Sequence, residues 1–163
     1  MKNSVVQMVS IVFGTVLAAT AQDMSPALAG VKPPVVAAGV LFMAFHVPLS
    51  LSLSAAFVAG LFLDALAGLP ALCATSLMPL LALVIHLLQA RADLRPTVVF
   101  GACATLLAAA IGEVWLAVCG FSAVNAELFV RICAEAVFSI PIGAAVFALL
   151  PPLGRLAGME VER

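Results

Sequence analysis

Five ionisable side chains lie inside apolar stretches of this chain: Asp64, Glu113, Glu127, Arg131 and Glu135. Bringing such a group toward a bilayer interior costs roughly 2.5–3.5 kcal/mol on insertion scales, so each is expected to be packed, paired or functional. Glu127, Arg131 and Glu135 follow one another at intervals of four and so share one face of a helix. The chemistry open to this set is polar and non-covalent: an ion pair that holds helices together, or a small site for a ligand or proton. The predicted pairing is Arg131 with Asp64, with Glu135 or Glu113 as a second partner or a protonated neighbour, since desolvation disfavours the charged form of an unpaired carboxyl there. Asp64, Glu113, Arg131 and Glu135 are the predicted intramembrane polar cluster.

Other chemistries lack their residues. The chain has no H-E-x-x-H, no G-x-S-x-G, no Walker A loop and no His-Asp-Ser set, so no catalytic residue and no cofactor are expected. His46 and His86 sit near the ends of separate segments with no Cys, acid or second His at ligand spacing; they are expected to be core or interface histidines, not metal ligands. Cys73, Cys103, Cys119 and Cys133 show no C-x-x-C spacing and are expected to be small buried hydrophobes.

The elements that must position these groups are membrane helices. The 163 residues are 65% apolar, with seven basic and eight acidic side chains and a formal net charge of −1. With a mean hydropathy of +1.27 the chain is expected to be an all-α polytopic membrane protein, one transmembrane domain over 1–163. So few basic residues exclude nucleic acid as a partner, since phosphates need a basic face. Six segments are predicted, at about 5–21, 34–47, 49–67, 72–88, 96–118 and 126–149, with a tail over 150–163. Ala19-Thr20-Ala21 has the small-x-small look of a signal-peptidase site, but the weak basic start favours a retained first span. The second segment is short for a span of about 20 residues and is expected to thin the bilayer or be partly re-entrant. Pro79 and Pro141 predict kinks, Pro96 the first turn of the fifth helix, and Pro151-Pro152 the end of the sixth. Trp115 is expected at a membrane interface.

Six spans place Lys2, Arg91, Arg95, Arg155 and Arg163 on one side and Lys32 alone on the other. By the positive-inside rule both termini are expected to be cytoplasmic, and the 68–70 turn faces outward. Asp64 and Arg131 then lie at similar depth in the outer half.

The third segment is the one around which the bundle is expected to be organised. At every fourth position it carries Ser52, Ala56, Gly60, Asp64 and Gly68, a stripe of small residues and one acid along one helix face. Such stripes let helix backbones approach closely where lipid offers no hydrophobic drive for packing. The stripe is the predicted packing or partner interface, with Ala104 and Ala108 on the fifth helix as a second seam.

These residues carry a resemblance. Lys32-Pro33, an apolar segment, His46-Val47-Pro48-Leu49, then Ala56-Phe57-x-x-Gly60-Leu61-x-Leu63-Asp64-x-x-x-Gly68 resembles MreD, the rod shape-determining membrane protein family. The likeness covers roughly residues 31–86 in motifs and the remainder in length and layout. Ser50 and Ser52 stand where members of that family commonly have a basic residue and a glycine, and Ala71 where a glycine is often found. The resemblance implies a non-enzymatic scaffold of the bacterial elongation machinery in the inner membrane, bound to MreC and linked to MreB and the RodA wall synthase. It also implies a fold similar to the substrate-binding subunits of energy-coupling-factor vitamin transporters.

Such a subunit is the alternative function, with the four-residue polar cluster as its pocket. Against it, the first helix, VQMVSIVFGTVLAATAQ, shows no A-x-x-x-A docking pattern. An ion-coupled carrier or intramembrane enzyme would need a second, deeper pair of ionisable groups, and the middles of the first and fourth segments hold none.

Overall fold

The computed structural model describes residues 2–25, 27, 32–67, 72–92, 95–119 and 126–156. They form six helices: α1 (Lys2–Met24), α2 (Val35–His46), α3 (Leu49–Ala67), α4 (Cys73–Ala92), α5 (Val98–Val118) and α6 (Ala126–Leu156). Four of them, α3 to α6, are long and apolar enough to cross a membrane, as expected of a helical membrane protein. Between 17% and 39% of the residues in each of these spans are buried within the chain.

The helix ends follow local chemistry, with two departures from expectation. Thr97 accepts a hydrogen bond from the Phe100 N–H at 3.1 Å, which makes it the cap of α5 and leaves Pro96 one position outside the helix. Pro151 and Pro152 do not stop α6, which runs on to Leu156. Proline removes an N–H donor, but its fixed φ of about −65° is helical, so the pair costs hydrogen bonds without turning the chain.

The hub of the bundle is α2, not α3. It packs against all five other helices. Val36, Ala37, Ala38, Val40, Leu41, Phe42 and Ala44 are all buried, a run that leaves no lipid-facing side. Its 12 residues reach about 18 Å at 1.5 Å per residue, well under the roughly 30 Å of a bilayer core. Shortness is possible because the other helices, rather than lipid, surround it.

Around α2 stand two helical hairpins, α3 with α4 and α5 with α6, while α1 lies on α2 and α3. At one end of the bundle Phe42 and Phe45 of α2 meet Phe147 of α6 and Phe100 of α5 edge to face. His46 stacks on Phe42 and shares a hydrogen bond of 2.9 Å with that residue's carbonyl.

The α5–α6 hairpin closes on two glycines. A Cβ on Gly143 would lie 2.6 Å from the Gly101 carbonyl oxygen and 2.6 Å from Thr105 Oγ1. A Cβ on Gly101 would strike the ring of Phe147 at 2.3 Å. Gly143→Val is therefore expected to destabilise the protein by about 1–3 kcal/mol or more. A thermal-unfolding midpoint in detergent unchanged from wild type would contradict this packing.

Candidate functional site

The small-residue stripe of α3 is consumed inside the chain. Ser52, Ala56, Gly60 and Asp64 are all buried. At Gly60 the backbone of α3 touches that of α4, for an added Cβ would sit 2.5 Å from Thr75 Cα and 2.6 Å from the Ala74 carbonyl oxygen. Gly68 lies outside the described residues. The second seam closes in the same way: Ala104 and Ala108 belong to the protein's own apolar core.

One helical turn beyond Gly60, Asp64 caps α4 from a neighbouring helix. Its Oδ1 accepts from the Ala74 N–H at 2.8 Å, and its Oδ2 accepts from the Thr75 N–H at 3.0 Å and the Thr75 hydroxyl at 2.6 Å. The first N–H groups of a helix have no partner of their own and favour a negative charge. The residue just before α4 cannot serve, because Leu72 has no polar side-chain atom and holds φ at 86°, in the left-handed region. Asp64 is buried because the start of α4 needs it.

The predicted pair of Asp64 with Arg131 is not formed. Among the described residues Asp64 makes no ion pair, and α3 and α6 do not touch. The reason is topological: α6 is held against α5 and α2, so its charges meet α5 rather than α3. Arg131 instead lies close enough to act on Glu113.

Facing stripes on α5 and α6 bring Glu113 and Glu135 together. Gly101, Thr105, Ala109 and Glu113 run along α5 at every fourth position; Glu135, Ser139, Gly143 and Phe147 do so along α6. The antiparallel register that sets Thr105 against Gly143 puts Ala109 level with Ser139 and Glu113 level with Glu135. Both glutamates line a cavity of about 150 Å³, together with Trp115, Gln22, Lys32 and Cys73. Glu113 is 8% exposed. Glu113 Oε2, Glu135 Oε2 and Trp115 Nε1 are buried without a hydrogen-bond partner. Trp115 thus packs inward on the core and the cavity, whereas a headgroup anchor would point outward.

The mouth of the cavity is built by a second borrowed cap. Gln22 of α1 accepts from the Val36 N–H at 2.9 Å, serving the start of α2, whose own cap position, Pro34, makes no side-chain hydrogen bond. The Ala19-Thr20-Ala21 segment lies inside α1, with Ala19 fully buried. Lys32 pairs with Asp23 beside this contact.

Three of the four cysteines, Cys103, Cys119 and Cys133, are exposed on the bundle surface, and Cys73 alone is buried; all four are free thiols. In a membrane span, an outward face is apolar whether or not it is buried in protein, so hydrophobicity did not predict burial. Cys73 and Cys119 lie close enough to act on each other. A short thiol crosslinker is expected to join them in a variant with Cys103 and Cys133 changed to serine; no crosslink would contradict the placement of α4 beside the end of α5. No group of residues able to hold a metal ion occurs among the described residues.

Compared with protein families, with curated proteins and with solved structures, the chain matches none. Gln22 and the extension of the Arg131–Glu135 face through Ser139, Gly143 and Phe147 were not expected from the sequence, and Trp115 was expected at an interface rather than on the cavity. For α6 the signal was present in the four-residue spacing. For Gln22 none was, since its partner is a backbone group of another helix.

Proposed function

We propose that this chain is a non-enzymatic scaffold of the bacterial cell-elongation machinery, an MreD-type protein of the inner membrane with both termini cytoplasmic. In this role it binds MreC and, through it or directly, MreB and the RodA wall synthase. The observation that supports this most is that Gly60 and Asp64 of the G-x-x-L-D motif both have a definite structural task, clasping α3 to α4. Motif residues with such a task are what a shared fold would retain. The orientation follows from the basic residues on the links. The partner contact belongs on lipid-facing surfaces, because the two small-residue seams are filled from within. The test is deletion of the gene in its own host. Rod-shaped cells rounding up, with normal shape restored by the intact gene, is the expected result; unchanged shape would reject the role.

A specific observation favours a second function. The cavity lined by Glu113 and Glu135 suits a transporter substrate-binding subunit, which would be recovered together with an ATPase module.

A further inference from the structure

Two carboxyl groups, Glu113 buried and Glu135 half-buried, face one cavity with acceptor oxygens that nothing among the described residues fills. Glu113 and Glu135 stand level on packed helices, each with one oxygen that no protein group satisfies. Leaving a buried acceptor unmade is costly, and a charged one more so. The surrounding charges do not meet the need. Lys32 at the mouth is taken by Asp23, and Asp64 is committed to the start of α4. Arg131 lies close enough to act on Glu113, one guanidinium beside two carboxyl groups.

The geometry points to a binding site for a primary ammonium group between Glu113 and Glu135. An ammonium offers three donors on one positive centre, enough to bridge both free carboxylate oxygens. A metal ion would want more ligands than the two acids supply, and no such set is present among the described residues. The third orphan in the cavity, Trp115 Nε1, is a donor and selects an oxygen on the same ligand; its ring adds an apolar and cation-attracting wall. About 150 Å³ equals roughly five waters at about 30 Å³ each, which fits an amino alcohol or a compound of small amino-acid size. Glu113 lies five residues from the end of α5, about 7.5 Å along the axis and so near one end of that candidate span. The ammonium can therefore come from a free amine or from an ethanolamine lipid. This inference does not rest on the scaffold role.

The experiment uses the full chain in nanodiscs of phosphatidylglycerol, with ethanolamine as the free probe and ethylene glycol as its neutral counterpart. Ethanolamine in large excess is expected to raise the unfolding midpoint by about 5 °C, ethylene glycol to leave it unchanged, and Glu113→Gln and Glu135→Gln each to abolish the shift. In the second arm, phosphatidylethanolamine is added to the nanodiscs, and native mass spectrometry of the released protein counts retained lipid. Retention by the wild type and loss in the two glutamine variants assigns the group to a lipid headgroup; a shift with free ethanolamine alone assigns it to a soluble amine. Absence of both responses, equal responses to ethylene glycol, or responses that survive in either glutamine variant would overturn the site.

Discussion

Gly60→Leu is expected to abolish the folded state, with a loss exceeding about 3 kcal/mol, and Gly60→Ala to cost about 1–3 kcal/mol. The reason is the nature of the neighbour. The atoms 2.5 to 2.8 Å from an added Cβ belong to the backbone of Ala74 and Thr75, which cannot rotate away as a side chain could. Room can be made only by lifting α3 from α4. That movement would also pull Asp64 from the N–H groups it caps one turn further along, so the two losses are coupled. Fluorescence-detected size exclusion and thermal unfolding in mild detergent check this. A Gly60→Leu protein that stays monodisperse with a wild-type midpoint would show that the helices do not touch there.

Asp64→Leu is expected to destabilise by about 3 kcal/mol or more, with Asp64→Asn intermediate. Hydrogen bonds to a charged group are worth about 1.5–3 kcal/mol each, and Leu leaves one buried and one part-buried backbone donor unmade. Asn keeps one oxygen but turns its amide donor toward the other N–H, so it recovers part of the loss. Thr75→Val removes the third contact alone and should show coupling when combined with Asp64→Asn. Were Asp64 a stray charge facing lipid, Asp64→Leu would instead improve membrane insertion and leave stability unchanged.

How much of this could be read from the residues depends on whether the partner is another residue pattern or a backbone. The α3 boundaries and the burial of Ser52, Ala56, Gly60 and Asp64 followed from four-residue spacing, which is local. The acid's task did not. A carboxylate in an apolar helix suggests a cation, and Arg131 was the visible candidate, whereas α4's unpaired N–H groups carry no letter in the sequence. Leu72 gave a faint hint, since a helix start without Ser, Thr, Asp or Asn needs its cap from elsewhere. The central place of α2 was likewise present in its all-apolar run VVAAGVLFMAF, but length alone made it look like a poor span. Glu113 and Glu135 stood out in the sequence as charges inside apolar stretches, and the structure places both on one cavity. Their cavity needed the α5–α6 register, which two glycines and Phe147 set through contacts far apart in sequence.

The most direct measurement of the proposed role is co-purification of the intact protein from its native membrane in mild detergent, with mass spectrometry of the proteins recovered. A single-span periplasmic scaffold together with wall-synthesis enzymes is the expected recovery. Recovery of an ATPase module in place of these proteins would contradict the scaffold role and establish a transporter subunit.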